Sequence, residues 1–530
     1  MAQLLQQLIL EQAERCPDAA AIVYRQTTLN YAQLASLIQT TARGLLALGL
    51  KRAERVAVYL PKRVETVAAL FGTALSGGVF VPINPLLKPD QVAYILRDCN
   101  VRILVTARDR AESLEPLLAD CPDLHSIILV DDIAPSAPHL HHQEVLIWSS
   151  LLAADHERLP ARVIDIDIAA ILYTSGSTGK PKGVVLSHRN MLAGAYSVAE
   201  YLDNRADDRL LAVLPFSFDY GLSQLTTAFV AGARVVLMDY LLPRDVVTMV
   251  AREAITGLAA VPPMWVQLAM LEWPAAAVNS LRYITNSGGA MPRTTLAGLR
   301  RALPKTTPFL MYGLTEAFRS TYLPPAEIDR RPDSIGKAIP NAEILVVRED
   351  GTPCAPGEPG ELVHRGALVG LGYWNDPAKT AERYRPAPGQ NPGLPLTELA
   401  VWSGDTVRTD EEGFLYFIGR KDDMIKTSGY RVSPTEIEEV LYSSGQAAEA
   451  AALGVPHPAL GQAVVAVIKP LRGDFNPAEL TAYCKQHLPN FMVPLQMITR
   501  TVDLPRNPNG KIDRKSLVEE LRDLFPESGP

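Results

Sequence analysis

Short apolar runs recur along the first half of the chain, alternating with stretches whose apolar residues fall at helical spacing. RVAVYL (55–60), VRILVTA (101–107), SIILV (126–130), RLLAVLPF (209–216), ARVVLM (233–238) and ITGLAAVPP (255–263) read as strands. Strands alternating with helices predict parallel βαβ units rather than an all-β or all-α protein. From about Ile344 the pattern changes, and EILVVREDGTPC and GELVHRG read as hairpin-like strands separated by Asp-Gly and Pro-Gly turns. The expected fold class is therefore α/β. A large N-terminal lobe over 1–420 holds βαβ subdomains to about residue 340, then a small antiparallel, β-barrel-like subdomain over about 341–420.

Around Gly419 the sequence FLYFIGRKDDMIKTSGYRV gathers charge and glycine. The helix signal SPTEIEEVLYSSG follows, with Ser433 as N-cap and Glu436 completing a capping box. AALGVPHP and AVVAVIKP read as two strands and NPAELTAYCKQHL as a helix, so 421–530 is expected to be a small α+β domain. No internal repeat is evident, and Arg385 to Pro395 reads as a surface loop.

The uncharged stretch Thr66 to Leu87 is nominally long enough to cross a bilayer, but Gly77, Gly78, Pro82 and Pro85 break it. A helix to about Ser76 followed by the strand VFVPI accounts for it without a membrane span. The N-terminus lacks the basic start of a signal peptide, and its residues read as a helix.

Composition narrows the class further. Hydrophobic residues make up 47% and charged residues 21% of 530, which fits a packed globular protein and excludes a disordered or fibrous one. The formal net charge is −7 with no long basic run, which argues against a nucleic-acid partner. The five cysteines, Cys16, Cys99, Cys121, Cys354 and Cys484, show no C-x-x-C pair, so reduced thiols and a cytoplasmic location are expected.

The most informative segment is ILYTSGSTGKPKGVVLSHRNM, Ile171 to Met191. An apolar strand enters a loop of small and hydroxylated residues with two lysines and leaves into another strand. Glycine and small side chains let backbone N–H groups approach an anion closely, and Lys180 and Lys182 add positive charge. The loop reads as a phosphate cradle. It is not a Walker A loop, because only two residues separate Gly176 and Gly179 and Pro181 stands where a Mg²⁺-binding hydroxyl would be needed.

This run resembles the signature loop of the adenylate-forming superfamily, which comprises acyl-CoA synthetases, the adenylation enzymes of non-ribosomal peptide synthesis, and luciferase. NSGGAMP (286–292), MYGLTEA (311–317), WSGDTVR (402–408), GRKDDMIKTSGYRV (419–432) and PRNPNGKID (505–513) follow in the superfamily's order. Within it, FSFDYGLSQL and MYGLTEAFRSTYLPP look most similar to the exosortase A system-associated AMP-forming acyl-CoA ligases.

The resemblance implies two half-reactions: a substrate carboxylate attacks the α-phosphate of ATP, and the resulting acyl adenylate passes its acyl group to a thiol. The nucleophile is already an anion at pH 7, so no catalytic base is required, and catalysis comes from positioning and charge neutralisation. By the same resemblance, Thr174, Ser175, Gly176, Ser177, Thr178 and Gly179, with Lys180 and Lys182, hold the ATP phosphates. Thr315 meets the α-phosphate, and Glu316 holds Mg²⁺, a hard cation suited to a carboxylate and phosphate oxygens. Tyr312 and the Gly288-Gly289 backbone meet adenine, Asp405 accepts from the ribose hydroxyls, and Arg420 and Arg431 lie near ribose and phosphate. Lys511 bridges the α-phosphate and the attacking carboxylate, and Asp422 matches the hinge about which the small domain alternates. Taken singly, each of these residues also has an ordinary reading: a surface turn, a core tyrosine, a solvated arginine or lysine.

For the acid itself, Asp219 in PFSFDYGLSQL stands in a Phe-Asp context that amino-acid-adenylating relatives use to pair with a substrate ammonium. Its plainer reading is a cap on the helix beginning near Tyr220. Arg319, two residues past MYGLTEA, is placed to pair with Asp219 or with a second carboxylate on the substrate. Tyr220, Ser223, Ala260, Ser287, Met311 and Ser320 complete the expected pocket, of mixed polarity and poorly suited to a long plain fatty acid. His139, His141 and His142 lie close together but lack accompanying ligand spacing and read as loop residues.

The expected protein is an AMP-forming ligase using ATP, Mg²⁺ and a thiol, CoA or the phosphopantetheine of a separate carrier protein, on a small carboxylic or amino acid. A stand-alone amino-acid adenylation enzyme and a luciferase-like oxidoreductase are the alternatives.

Overall fold

The computed structural model describes residues 2–131, 139–140, 142–154, 162–174, 181–420, 423–427, 430–457, 460–473, 475–507 and 510–526. Among these residues three sheets carry the fold, of fourteen, nine and five strands. In the nine-stranded sheet Val79–Pro82, Arg55–Tyr59, Val101–Thr106 and Ser126–Leu129 run in parallel. In the fourteen-stranded sheet Arg234–Leu237, Arg209–Ala212, Gly257–Ala260, Tyr283–Asn286 and Thr307–Tyr312 do the same. Every apolar run read as a strand in the N-terminal half is one. The parallel order follows because a right-handed crossover through a helix brings each strand back in the same direction.

The uncharged stretch after Thr66 resolves into the helix Val64–Leu75 and the strand Val79–Pro82. No helix among the described residues is long and apolar enough to cross a membrane. The helix packs so closely on Tyr31–Ala47 that a Cβ at Gly72 would come within 2.8 Å of the Thr41 methyl. The largest core cluster spans both big sheets, with Phe229 edge-on to Tyr31 and to Phe71 at its centre.

The antiparallel strands expected after Ile344 are present. Ala342–Val347 pairs with Gly360–Gly366, and Leu399–Thr409 and Leu415–Arg420 continue the ladder to Ser334–Ala338, which joins it to the parallel set. The C-terminal sheet pairs Ala447–His457 with Gly461–Pro470, with Pro434–Ser443 and Pro477–His487 as helices. Ser433 does stand at the N-cap of Pro434–Ser443, but its side chain accepts no backbone hydrogen bond and the predicted capping box does not form. Pro434 supplies a preset φ at the first helical position, so the helix starts without a side-chain cap. All five cysteines are free.

Two histidines are built in as neutral rings. His188 accepts the Leu5 N–H at 3.1 Å, His364 lies 2.9 Å from the Ser320 hydroxyl, and burial pushes each down to about 4. A histidine depressed below its ordinary 6.5 takes up protons first in the unfolded chain, so its stabilisation is lost as pH falls from 6.5 towards 4. Between pH 7 and pH 5 each should cost about 2 kcal/mol of unfolding free energy. Urea unfolding at the two pH values should show that difference shrinking by about this amount in His188→Gln.

Candidate active site

Parallel strands deliver their C-terminal ends to one edge of the sheet, and the loops leaving those ends line a cavity there. Arg209–Ala212 leads to Ser217, Phe218 and Asp219. Tyr283–Asn286 leads to Ser287, Gly288 and Gly289, and Thr307–Tyr312 leads to Thr315, Glu316 and Arg319. The antiparallel ladder adds Asp405 and Arg420, and the C-terminal domain closes the space with Lys511. The cavity measures about 1770 Å³.

Asp405 and Arg420 are register partners on adjacent strands, and the Arg420 Nε lies 3.3 Å from Asp405 Oδ1. Tyr312, ending its strand, donates its hydroxyl to Asp405 Oδ2. Burial raises the Asp405 carboxyl above its ordinary range, opposed by Arg420 and Tyr312. Glu316 sits in the short turn Thr315–Ala317, where its Oε1 accepts from the Tyr373 hydroxyl with Arg383 Nε at 3.9 Å. Phe318, next in the chain, holds φ at +57°, a backbone that L side chains rarely adopt, and its ring fills the space opened by Gly194.

Deeper in the cavity wall, Asp219 is buried and its Oδ1 accepts the Thr315 hydroxyl at 2.9 Å. Burial raises its carboxyl, and Arg319 is the strongest charge opposing that rise. The Arg319 guanidinium lies over the Tyr220 ring at 4.7 Å and donates from Nη1 to Ser287 Oγ at 3.0 Å.

Lys511 enters from the opposite side at the tip of a tight turn. Gly510 at φ +79° and backbone bonds between Asn507 and Lys511 shape that turn. A Cβ added at Gly288, itself at φ +83°, would lie 3.2 Å from Lys511 Cε. The lysine keeps surface open to the void of the cavity while protein surrounds that void. This enclosure lowers its ammonium below the usual range against the pull of Asp219 and Asp405.

The sequence-predicted residues therefore divide. Thr174 and Lys182 face each other across the base of the glycine-rich loop and line the cavity. So do Asp219, Ser287, Gly288, Gly289, Met311, Tyr312, Thr315, Glu316, Arg319, Asp405, Arg420 and Lys511. Tyr220, Ser223, Ala260 and Ser320 are buried but do not border it. The guanidinium of Arg319 covers the Tyr220 ring, whose hydroxyl meets Thr285, and Ser320, next along the chain, turns the other way to His364. Asp219 is not the cap of its helix: Phe218 holds that position, and the carboxylate turns to Thr315 instead. Nor do Asp219 and Arg319 approach within 4.0 Å as an ion pair. Ser175, Gly176, Ser177, Thr178, Gly179, Lys180, Asp422 and His141, with the side chains of Arg431 and His139, lie outside the described residues. No group of three metal-ligating side chains occurs among the described ones.

Sequence reasoning missed Tyr373 and Arg383, which reach Glu316 from a segment with no chemical signal of its own. Four lining residues also carry buried polar atoms without a hydrogen-bond partner: Ser217 Oγ, Asn286 Oδ1, Arg319 Nε and Nη2, and Asp405 Oδ1, which has only its ion pair with Arg420. Such atoms cost stability unless a polar ligand meets them.

Residues 9–374 match the AMP-binding enzyme family, and 436–511 match the AMP-binding enzyme C-terminal domain. The chain is 30% identical over 97% of its length to one of the linear gramicidin synthase proteins of Brevibacillus parabrevis, spanning only 10% of that protein. It is also 30% identical over 98% of its length to the long-chain-fatty-acid–CoA ligase of Salmonella typhimurium, covering 95% of that protein. The o-succinylbenzoate CoA synthetase of Bacillus subtilis, solved with an acyl-adenylate intermediate, superposes with a TM-score of 0.81 at 27% identity. That match covers 96% of this chain and 97% of the other. These matches speak to the superfamily and not to the exosortase A branch.

The Tyr312–Asp405 bond yields a test independent of any ligand. Tyr312→Phe leaves a buried carboxylate without its hydroxyl donor and should lower the unfolding free energy by about 1–3 kcal/mol in chemical denaturation.

Proposed function

The chain belongs to the AMP-binding enzyme family, and on that premise we propose that it is an acid–thiol ligase. It activates a carboxylic acid with ATP to an acyl adenylate and transfers the acyl group to CoA. In the first step a carboxylate oxygen bonds to the α-phosphorus while the bond to the pyrophosphate oxygen breaks. Two anions must meet, so the residues that matter are cations and donors, and this cavity is furnished with them.

What supports the reading above all is the Lys511 ammonium, carried by the C-terminal domain to the large-lobe cavity beside Gly288. There it neutralises charge shared by the carboxylate and the phosphate. Thr315, its hydroxyl held by Asp219, stands beside the same phosphate, and the 174–182 loop takes the outer phosphates. Asp405, with one buried oxygen that accepts no hydrogen bond, fits ribose hydroxyls, and Tyr312 offers its ring to adenine. Glu316 is the residue to hold Mg²⁺: its Oε1 is steadied by Tyr373, and a single carboxylate completed by phosphate oxygens suits that ion. The metal would supply neutralisation of the departing pyrophosphate.

Transfer to the thiol requires the adenylate to be reached from another side. We assign this to rotation of 421–530 against 1–420 about Asp422, which withdraws Lys511. The five free cysteines fit a reducing, cytoplasmic setting. A second reading, in which a separate carrier protein's phosphopantetheine replaces CoA, is favoured by the likeness to a linear gramicidin synthase protein and by Asp219 at the cavity wall.

Lys511→Ala should reduce acid-dependent ATP–pyrophosphate exchange by about 100-fold or more while leaving thioester formation from supplied acyl adenylate within a few-fold. Equal loss of both half-reactions would refute the assignment. Supplying CoA or a phosphopantetheinylated carrier protein to the preformed adenylate, and measuring thioester, separates the two acceptors. CoA is the expected one.

A further inference from the structure

Arg319 is 1% exposed, yet its Nε and Nη2 have no hydrogen-bond partner. A guanidinium cannot shed its proton to escape such a site, and it has donors only, so an unfilled edge calls for an oxygen-rich group. Among the described residues no carboxylate stands within 4.0 Å of it. Asp219, on which Arg319 is the strongest opposing charge, gives Oδ1 to Thr315 instead.

The group is also held rigidly. Nη1 is tied to Ser287, the guanidinium lies on the Tyr220 ring, and that tyrosine is fixed by Thr285. The backbone before it carries the strained Phe318, and a Cβ at Gly313 would come within 3.0 Å of the Arg319 Cα, so the local chain has little room to shift. The unfilled pair, Nε and Nη2, forms one edge of the planar fork, whose two parallel donors match the two oxygens of a carboxylate.

Its place in the cavity says where that carboxylate comes from. On the ligase reading the acid reacts beside Lys511, and Ser287 stands between Gly288, which adjoins Lys511, and Arg319. Lys511 and Asp219 already balance each other's charge at the reacting end, which leaves Arg319, beyond Ser287, as the cation with donors to spare for a second anionic group. We infer that the acid activated here is a short dicarboxylate, and that Arg319 is the specificity-determining residue that binds its second carboxylate side-on. A plain alkyl chain would instead bury the guanidinium edge unpaired. The inference rests on the ligase reading above and narrows it to a substrate class.

The test is ATP–pyrophosphate exchange with the unbranched diacids from succinate to suberate, each compared with its monomethyl ester and with the monocarboxylate of equal length. At least one diacid should exceed its ester by about 100-fold or more in kcat/KM, since a site built for a polar group rejects the analogue lacking it. Arg319→Leu should bring that diacid down to the level of its ester, so that the ratio between them falls to about one, and Arg319→Lys should retain part of the preference. Should Arg319→Leu not fold, as judged by thermal unfolding with ATP present, the wild-type ester comparison and Arg319→Lys decide the matter. Exchange with monocarboxylates or amino acids but no diacid preference would overturn the inference and leave the ligase reading standing. A preference that survives Arg319→Leu would overturn the role of Arg319. No exchange with any acid, amino acids included, would overturn both.

Discussion

Two carboxylates, Asp219 and Asp405, are taken out of water at the edge of one sheet, and the rest of the cavity is arranged around that desolvation. Burial alone pushes both towards the neutral acid. What opposes it is a shared set of donors and cations: Thr315 and Arg319 around Asp219, Tyr312 and Arg420 around Asp405, and Lys511 between them from the other domain. Lys511 is counterbalanced by the same two carboxylates, so each partner's charge state depends on the presence of the other.

That dependence links chemistry to domain position. Lys511 reaches the cavity only because its turn is braced within the C-terminal domain, where Arg506 donates to the Gly510 carbonyl and pairs with Glu449, and Arg514 pairs with Glu438. Among the described residues, one bond across the domain boundary is long. The Arg293 N–H donates to Glu439 at 3.3 Å, while the Arg293 side chain is engaged by Asp333. Strong bonds within the C-terminal domain and a long one across the boundary agree with the proposed rotation.

Much of the architecture was legible because periodicity is a local property. The apolar runs, the break after Leu75 and the 342–366 hairpin follow from spacing and turn residues alone, and the ordered motifs led to residues that do converge on one cavity. The failures have equally specific causes. Ser433 has the composition of a capping box, but its hydroxyl takes up no N–H of the first turn, which Pro434 presets at the first helical position. Asp219 looks like a helix cap, yet a threonine from another loop competes successfully for its oxygen. Tyr220, Ser223, Ala260 and Ser320 belong to the right segments but sit behind the cavity wall, a matter of which side chain covers which. Tyr373 and Arg383 carry no sequence signal because their role exists only beside Glu316, far away in the chain.

The sequence by itself determined the order of strands and helices, the α/β class, the family, and the set of charged and hydroxylated residues available for chemistry. All of these depend on residues near one another along the chain or on motifs recognisable one at a time. Only the tertiary structure decided that Lys511 stands beside Gly288, that Asp405 is shared between Tyr312 and Arg420, and that Arg319 is fixed with one edge unfilled. Those facts depend on distances between segments up to several hundred residues apart, on which groups lose their water, and on which donors remain unspent once the chain has packed.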